Sequence, residues 1–302
     1  MEKQELLILG GDRRQYYMSQ YLLSQGYPVT VYGENFREDH TGMSYVTSVE
    51  AVYEYLAEAH PVVILPVPVT LDGKTVKGTG EALKLSKICP YVEAHRRLYG
   101  GSIPQDFRSQ CEMKQGQCVD LMQSERVAYL NAVSTAEGSI AEAMVSGATQ
   151  LSGSKSLVLG FGRCGAVLAD KLRCLGADVT VMERTEKSRA RAAAYGLGCT
   201  DFTKTGFAWG AYEYIFNTVP APVLSETELR QCSKAVTIID LASKPGGVDY
   251  AAAEQLGIQA KLCPGLPGKY APKTAGEILA KELVYFIEKD AFAQKQTGKE
   301  SL

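Results

Sequence analysis

Three glycines near the middle of the chain, Gly160, Gly162 and Gly165, have the spacing of a turn that binds a dinucleotide. In such a turn the first glycine permits a tight bend, the second lets a pyrophosphate approach the backbone, and the third lets a helix pack on a strand. The first N–H groups and the positive dipole end of that helix then face the phosphates. We therefore expect Arg163 and Cys164, on the same helical turn, to contact the cofactor together with the three glycines.

The sequence on either side of the turn supports this prediction. An apolar run, LVL at 157–159, comes directly before it, and an amphipathic run with Leu168 and Leu172 follows it. An acidic residue, Glu183, stands at the end of the next predicted strand. The simpler alternative is a glycine-rich turn in an α/β domain that binds no cofactor.

The residues after that strand bear on which nicotinamide cofactor binds. A carboxylate at Glu183 would accept hydrogen bonds from the ribose hydroxyls of NAD and would repel the 2′-phosphate of NADP. Arg184 and Thr185 follow, and a guanidinium beside the strand end is the usual partner of a 2′-phosphate. The pattern favours NADP and leaves NAD open. Three further basic residues are expected on a solvated helix face: Lys187, Arg189 and Arg191.

Two more predicted strands end near the expected position of the nicotinamide. The first ends in Thr218, Val219 and Pro220, and the second is followed by Lys244. Ligands of doubly wound α/β sheets bind at the carboxyl ends of the strands. We therefore expect the three residues after the first of these strands to contact the cofactor.

An altered copy of the same pattern stands near the N-terminus. Residues 7–32 align with residues 157–182 without gaps, and both windows contain an apolar strand, a glycine turn and a second β-branched strand. Asp12 replaces the second glycine of the turn, and Gln15 replaces the third. Because a carboxylate repels a pyrophosphate, we expect this domain to keep the fold and to have lost the dinucleotide.

The two copies predict two doubly wound, Rossmann-like α/β domains with a cleft between them, linked by long helices. Periodicity fades over residues 113–124, and residues 134–137 have the pattern of a helix start, with Thr135 and Glu137 as its cap. The proline and glycine content of residues 263–276 predicts an irregular loop. The predicted segments are an N-terminal substrate domain (1–125), a linking helix (126–150), a cofactor domain (151–275), and a C-terminal helix with a polar tail (276–302) that can pack back on the N-terminal domain.

The composition excludes several classes of protein. The 302 residues are 45% hydrophobic and 22% charged, which is a globular balance, and a net charge of -2 gives no reason to expect nucleic acid as a partner. No apolar run approaches the ~20 residues that span a bilayer, and the N-terminus is not that of a secretory signal. The eight cysteines include no CxxC pair, so we expect free thiols in a reducing cytoplasm and no metal site.

Six segments of the chain together resemble one family, the A subunit of dipicolinate synthase. The resemblance covers nearly the whole chain. The segments are GGDRRQ (10–15), NAVSTAEG (131–138), LGFGRCG (159–165), NTVPA (217–221), DLASKPGG (240–247) and PGLPGKYAPKTAG (264–276), of which the last two are the most specific.

The resemblance implies a function and a setting. Members of the family oxidise dihydrodipicolinate to dipicolinate, which is pyridine-2,6-dicarboxylate, with NAD(P) in the mother-cell cytoplasm of a sporulating bacterium. They act with a smaller, flavoprotein-like B subunit, and we expect a homo-oligomer in addition. Members often carry a small residue and two arginines where this chain has Glu183, Arg184 and Thr185.

The implied substrate is a planar dianion. Its oxidation needs a hydride acceptor, a route for one proton, and donors that bind two carboxylates. Arginine suits a carboxylate best, and a helix N-terminus already favours an anion. We therefore expect Arg14 with Gln15, and less strongly Arg13, to bind a carboxylate at the start of the first helix. The alternative is two arginines solvated on a first helical turn.

Other residues are candidates for chemistry on the substrate. Lys244 and Lys273 lie in two predicted loops, and each is expected to bind a substrate carboxylate or to relay a proton. The alternative for each is a solvated loop lysine. The family motif also makes Thr135 and Glu137 candidates for substrate binding near the hinge. We assign no role to His95.

Two other functions share parts of this pattern. A two-domain 2-hydroxyacid dehydrogenase has the same layout, but such enzymes present an arginine, an acid and a histidine in the cofactor domain. This chain has no histidine after His95, which argues against that class. A protein that binds a nucleotide without turnover of its own, as a scaffold in a complex, remains the second alternative.

Overall fold

The computed structural model describes residues 3–36, 42–92 and 97–297. The chain forms two compact units, and the backbone passes from one to the other twice. The first unit comprises residues 1–128 and 272–302, and the second comprises residues 129–271. His95 lies outside the described residues.

Both units consist of strands that alternate with helices. In the described residues the strands are β1 (Leu6–Leu9), β2 (Val29–Tyr32), β3 (Ser44–Tyr45), β4 (Val62–Ile64), β5 (Arg97–Gly100), β6 (Gln117–Asp120), β7 (Lys155–Leu159), β8 (Asp178–Met182), β9 (Gly198–Thr200), β10 (Tyr214–Asn217), β11 (Thr237–Asp240) and β12 (Gln259–Leu262). The helices are α1 (Arg13–Ser24), α2 (Val49–Glu58), α3 (Leu85–Ile88), α4 (Gln105–Met113), α5 (Glu125–Ser146), α6 (Arg163–Cys174), α7 (Glu186–Ala194), α8 (Glu226–Leu229), α9 (Tyr250–Leu256), α10 (Leu266–Tyr270) and α11 (Pro272–Thr297).

The first unit contains one parallel sheet in the order β3-β2-β1-β4-β5-β6. All side chains of the central strand β1 are buried, with Leu7 and Leu9 in the core on one face and Leu6 and Ile8 in the core on the other. The chain runs outward from β1 to β3 and then crosses back to β4. The strand order therefore reverses between the carboxyl ends of β1 and β4, where doubly wound sheets bind ligands.

The second unit repeats this topology with a parallel sheet in the order β12-β11-β10-β7-β8-β9. Its central strand is β7, with Leu157 and Leu159 in the core on one face and Val158 in the core on the other. The strand order reverses between β7 and β10. The predicted fold class of the two domains, doubly wound and Rossmann-like, is confirmed.

Helix α5 spans Glu125–Ser146 and therefore begins well before the cap predicted at Thr135 and Glu137. Thr135 and Glu137 lie in its interior, and the Thr135 hydroxyl donates to the carbonyl of Asn131 (2.8 Å). The cap predicted at these two residues is wrong. The preceding residues also form helix, so the backbone N–H groups at this point already have partners within it.

The proline- and glycine-rich stretch 263–276 is largely helical, so the predicted irregular loop is also wrong. Gly265, with a φ of 70°, precedes the short helix α10, and Pro272 is the first residue of α11. Proline is tolerated at the start of a helix because the N–H that it lacks would have no partner within the helix. The stretch 113–124, where the sequence shows little periodicity, contains the edge strand β6.

The last helix belongs to the first unit. Leu279 and Leu283 of α11 are buried in the same core as Met18 of α1. A Cβ at Gly276 would overlap the carbonyl oxygen of Arg14, so the two helices approach closely at a position that requires glycine.

Several global features can be stated for the described part of the chain. No helix there is both long and apolar enough to cross a membrane. All eight cysteines are free thiols. No group of histidine, cysteine, aspartate and glutamate side chains among these residues could hold a metal ion.

Candidate cofactor and substrate sites

The glycine turn of the second unit is closely packed. Gly160 has a φ of +89°, and a Cβ there would lie 2.7 Å from Thr218 Oγ1. A Cβ at Gly165 would overlap the carbonyl oxygen of Gly160. The turn therefore requires glycine at both positions, which brings the first turn of α6 against the end of β7.

The N-terminus of α6 is open. Gly162 precedes its first residue and has no side chain that could accept hydrogen bonds from the first N–H groups. A Cβ at Gly162 would meet no atom within 4 Å. Backbone donors, the positive dipole end and free space together fit a pyrophosphate. Arg163 and Cys164 lie on the same helical turn, and burial raises the pKa of the Cys164 thiol, which is therefore uncharged at neutral pH.

The segment after β10 lies beside this turn. The Thr218 hydroxyl donates to the carbonyl of Leu159 (2.9 Å), and the Val219 N–H donates to Asn217 Oδ1 (2.9 Å). Thr218 and Val219 are half-buried, and Pro220 is exposed. The three predicted residues are thus held in place next to the glycine turn.

A buried carboxylate, Asp240 at the end of β11, was not among the predicted site residues. It holds the loop that carries Lys244, because it accepts hydrogen bonds from both ends of that loop. Burial and the hydrogen bond to Asp240 raise the pKa of Tyr250. The donors to Asp240 are Asn217 Nδ2 (2.9 Å), Ala242 N (2.9 Å), Gly247 N (2.7 Å) and the Tyr250 hydroxyl (2.7 Å).

Glu183 connects the glycine turn to the start of α7. Its carboxylate accepts hydrogen bonds from the backbone N–H groups of Phe161 (2.8 Å), Arg184 (2.8 Å) and Thr185 (3.1 Å). The Arg184 side chain is exposed. Thr185 caps α7, since its hydroxyl oxygen accepts from the N–H of Ser188 (3.3 Å).

The basic residues that follow are not uniformly solvated, contrary to the prediction. Arg189 forms an ion pair with Asp201 (2.6 Å). The Arg191 guanidinium lies 4.8 Å from the ring centroid of Phe161 and donates to the carbonyl of that residue. Only Lys187 of these three is a solvated residue without such a contact among the described residues. The prediction is wrong for Arg189, which is half-buried and has partners at the ends of β8 and β9. Arg191 is exposed as predicted, although its guanidinium contacts the glycine turn.

The corresponding turn of the first unit carries its own cap. Asp12 precedes α1, and its carboxylate accepts from the N–H of Arg14 (3.1 Å). The Gln15 side chain accepts in turn from the N–H of Asp12 (2.9 Å), which completes a capping box. The N-terminus of α1 is therefore already neutralised by a carboxylate.

The backbone of residues 77–78 covers this turn. The Gly11 N–H donates to the carbonyl of Lys77 (2.7 Å), and the Glu34 N–H donates to the carbonyl of Gly78 (3.2 Å). A Cβ at Gly10 would overlap the Lys77 carbonyl oxygen. The backbone of residues 77–78 therefore packs directly against this turn.

Two cations share the Asp12 carboxylate. Arg14 donates to it from Nε (2.9 Å) and Nη2 (2.7 Å), and also to the carbonyl of Val67, while Lys77 Nζ lies 2.9 Å from Oδ2. Burial by itself would raise the pKa of Asp12, but the hydrogen bonds and charges of Arg14 and Lys77 hold it well below its usual range. Arg14 is only 8% exposed, so the alternative of a solvated arginine is wrong at this position.

The other two predicted carboxylate-binding residues differ from each other. Gln15 is fully buried, and its Nε2 has no hydrogen-bond partner within the described residues. Arg13 is exposed and donates to the Tyr17 hydroxyl (3.2 Å). Of the predicted set, Arg14 and Gln15 therefore lie together at Asp12, and Arg13 lies on the exposed side of the helix.

Known proteins resemble this chain over almost its full length. The family model for the N-terminal domain of the dipicolinate synthase A subunit matches residues 5–122. The A subunit of dipicolinate synthase from Bacillus subtilis (strain 168) is 31% identical over 299 residues, which cover 98% of each chain. This chain belongs to the family of dipicolinate synthase A subunits. The resemblance predicted from the six segments is confirmed.

Crystal structures of two dipicolinate synthase A subunits have the same fold. The protein from Bacillus halodurans is 32% identical, with a TM-score of 0.85 over 95% of this chain and 98% of that chain. The protein from Bacillus subtilis is 28% identical, with a TM-score of 0.84 over 97% of this chain and 98% of that chain.

In this member of the dipicolinate synthase family, the two predicted catalytic lysines belong to different units. Lys244 is exposed in the loop after β11. Lys273 is exposed in the first turn of α11 and not in a loop as predicted, because the helix begins at Pro272. Glu137 pairs with Lys171 (2.9 Å) on the surface.

The site residues predicted for this dipicolinate synthase family member form two groups. Those of the cofactor lie around the glycine turn of the second unit, and Arg14 and Gln15 lie at Asp12 in the first. The prediction missed Lys77, which joins the second group. A signal for it was present in the sequence, since glycines at positions 78 and 80 follow this lysine in the segment after a buried strand.

Proposed function

We propose that this chain oxidises dihydrodipicolinate to dipicolinate with NADP, as the A subunit of dipicolinate synthase. Membership of the family supports the reaction. The single observation that carries the proposal is the uncapped N-terminus of α6, preceded by Gly160 and Gly162 at the reversal of the second sheet. It supplies a site for the hydride acceptor that the reaction requires.

The reaction removes two electrons and two protons from the ring. One hydrogen leaves as a hydride and the other as a proton, and the ring gains the double bond that makes it a pyridine. The nicotinamide, when bound, accepts the hydride. Because aromatisation makes the reaction favourable, the main contribution of the protein is to position the substrate and no strong base is required.

The first unit offers the better candidates for binding the substrate carboxylates. Arg14 is buried and charged, and Gln15 has a spare N–H donor. Lys244 and Lys273 are both exposed, and either can bind the second carboxylate or take the proton. We rank Arg13, Thr135 and Glu137 below these residues as substrate contacts, because each already has a local partner: Tyr17, Asn131 and Lys171 respectively.

The residues after β8 favour NADP over NAD. The Glu183 carboxylate is occupied by three backbone N–H groups, while the guanidinium of Arg184 beside it is exposed. A guanidinium forms strong, charge-assisted hydrogen bonds with a phosphate. We propose that Arg184 binds the 2′-phosphate of NADP.

The wider setting follows from the family resemblance. The relative from Bacillus subtilis is called a subunit, which suggests a partner chain. We propose that the partner is a flavoprotein-like B subunit, that the chain forms a homo-oligomer in addition, and that the enzyme acts in the mother-cell cytoplasm of a sporulating bacterium.

The test is to reconstitute the reaction. The chain is purified alone and with its B subunit, dihydrodipicolinate is generated in situ, and reduced nicotinamide and the pyridine product are followed with NADP and NAD separately. We expect product with both chains present and a higher rate with NADP. A reaction that contains only the B subunit is the control. Cofactor binding without product in any combination would contradict the proposal and assign the chain to nucleotide-binding proteins without turnover.

A further inference from the structure

A charged group lies at the reversal of the first sheet. Asp12 Oδ2 accepts hydrogen bonds from both Arg14 Nη2 (2.7 Å) and Lys77 Nζ (2.9 Å). Two cations and one carboxylate give the group a net charge of +1. The side chains of Lys77 and Asp12 are 23% and 31% exposed, so the group is partly open to solvent.

Lys77 is held firmly at this place by its backbone. Its N–H donates to the carbonyl of Val69 (3.0 Å), and its carbonyl accepts from Gly11 (2.7 Å). A Cβ at Gly78 would overlap the Gly11 carbonyl oxygen, so the segment is in close contact with the turn. A donor that is fixed before the ligand arrives loses little entropy on binding.

The group has hydrogen-bond donors to spare. An ammonium has three N–H donors, and Lys77 uses one of them on Asp12. Arg14 Nη1 and Gln15 Nε2 make no hydrogen bond within the described residues, and the Gln15 amide is itself bonded to the backbone of Asp12. Donors of this kind around a net positive charge suit a carboxylate, which only accepts hydrogen bonds.

The position of the group agrees with its chemistry. It lies at the carboxyl ends of β1 and β4, where ligands of doubly wound sheets bind. We propose that Lys77 binds one carboxylate of the dicarboxylate substrate and that Asp12 is the positioning residue that holds its ammonium group. This inference rests on the proposed function, because it takes the substrate class from it.

The test compares two ligands and two positions in the same segment. Pyridine-2,6-dicarboxylate and pyridine-2-carboxylate are titrated calorimetrically into the full-length chain with saturating NADP. In Lys77→Met we expect the Kd of the dicarboxylate to rise about 10- to 100-fold, as for the loss of a charge-assisted hydrogen bond. The Kd of NADP is expected to be unchanged. Lys74→Met, which removes an exposed lysine of the same segment, is expected to behave as the wild type.

The monocarboxylate separates a direct contact from a general effect. If Lys77 binds a carboxylate, removal of one carboxylate from the ligand weakens binding more in the wild type than in Lys77→Met. Equal ratios in the two proteins, or unchanged dicarboxylate binding in folded Lys77→Met, would overturn the inference. If Lys77→Met does not fold, the same titrations are made with Lys77→Gln, which keeps a hydrogen-bond donor to Asp12 but removes the charge. If the wild type binds neither ligand and forms no product with the B subunit, the proposed function itself fails.

Discussion

The two glycine turns of this chain share one backbone plan and differ in what faces the helix N-terminus. In the second unit, α6 follows Gly162, which has no capping side chain and open space beside it. In the first unit, α1 follows Asp12, whose carboxylate caps the helix, and residues 77–78 fill the space above the turn. The sheet order is the same in both. The same doubly wound topology thus accommodates both an uncapped helix N-terminus and one that a carboxylate caps and another segment covers.

The two turns also differ in which groups supply positive charge. At the second turn the backbone N–H groups and the helix dipole remain available to a ligand. At the first turn Asp12 neutralises them and brings Arg14 and Lys77 together. At the first turn the positive charge is therefore on side chains, whereas at the second turn it is on the backbone at the helix N-terminus. Charged side chains suit a compact carboxylate better than an extended dinucleotide.

The largest effect on ligand binding is expected when the glycine turn of the second unit is given the carboxylate of the first. Gly162→Asp places a carboxylate at the approach of the pyrophosphate, and we expect the Kd of NADP to rise at least about 100-fold from charge repulsion. The fold should be retained, because a Cβ at this position meets no neighbour and aspartate is a good helix cap. Binding is measured by NADPH fluorescence, and folding by circular dichroism.

Gly162→Ala is the matched control for this variant. It adds only a methyl group in open space, so its effect on the Kd of NADP should be small. Retained NADP affinity in Gly162→Asp would show that the uncapped helix N-terminus is not the cofactor site.

The extent to which these features could be predicted from sequence depends on how local they are. The sheet and helix order, and the glycines at positions 160, 162 and 165, leave local patterns in the sequence. The packing of residues 77–78 against the first turn leaves no such local pattern, because these residues lie more than sixty positions along the chain and tertiary contacts set their path. The residues that meet at Asp12 could therefore be found only in part, and Lys77 was missed.

Local patterns were also misleading where a longer element overrides them. Ser134 and Glu137 have the spacing of a capping box, but the helix extends upstream to Glu125 and leaves them in its interior. The glycines and prolines near Gly265 suggest a loop, yet they fall where α10 and α11 tolerate them, before the first residue or within the first turn.

The next effect concerns the stability of the first turn. Asp12→Ala removes a helix cap and leaves the buried guanidinium of Arg14 without its carboxylate, so we expect the free energy of unfolding to fall by about 2–3 kcal/mol. Urea denaturation measures this. Ser48→Ala removes a cap of α2 that involves no cation and should cost about 1 kcal/mol.

The same variant tests our expectation that the first turn binds no dinucleotide, and whether the charge of Asp12 or the covering segment matters more for it. Because residues 77–78 still fill the space above the turn, Asp12→Ala should not gain a second NADP site. A stoichiometry of two in equilibrium dialysis would mean that charge alone excluded the cofactor.

A smaller effect is expected at the adenosine end of the second site. Arg184→Ala removes the proposed partner of the 2′-phosphate, so the Kd of NADP should rise about 10- to 30-fold while that of NAD stays nearly constant. Lys187→Ala, at an exposed position on the adjoining helix, is the control. An equal loss for both cofactors would assign Arg184 to a general role in the turn and contradict a preference for NADP.

The smallest effect comes from a second carboxylate shared by two cations. Glu142 of α5 is 3% exposed and pairs with Lys261 (2.7 Å) and with Lys269. Hydrogen bonds from these lysines lower the pKa of Glu142 from its usual value of 4.5 to about 2. Since the folded state holds the ionised form, the stabilisation is present above pH 4.5 and is lost as the pH falls toward 2.

We therefore expect Glu142→Gln to lower the free energy of unfolding at pH 7 by about 1–2 kcal/mol, because both lysines are partly exposed and can return to water. The difference from the wild type should shrink between pH 4.5 and 2 in urea denaturation. Glu137→Gln breaks an exposed pair and should change stability by less than about 0.5 kcal/mol. NADP binding should be the same in all three proteins. If the difference in the free energy of unfolding persists at pH 2, Glu142 stabilises the unit by packing and not by charge. A carboxylate shared by two cations would then stabilise through charge only where one of the cations is buried, as Arg14 is at Asp12.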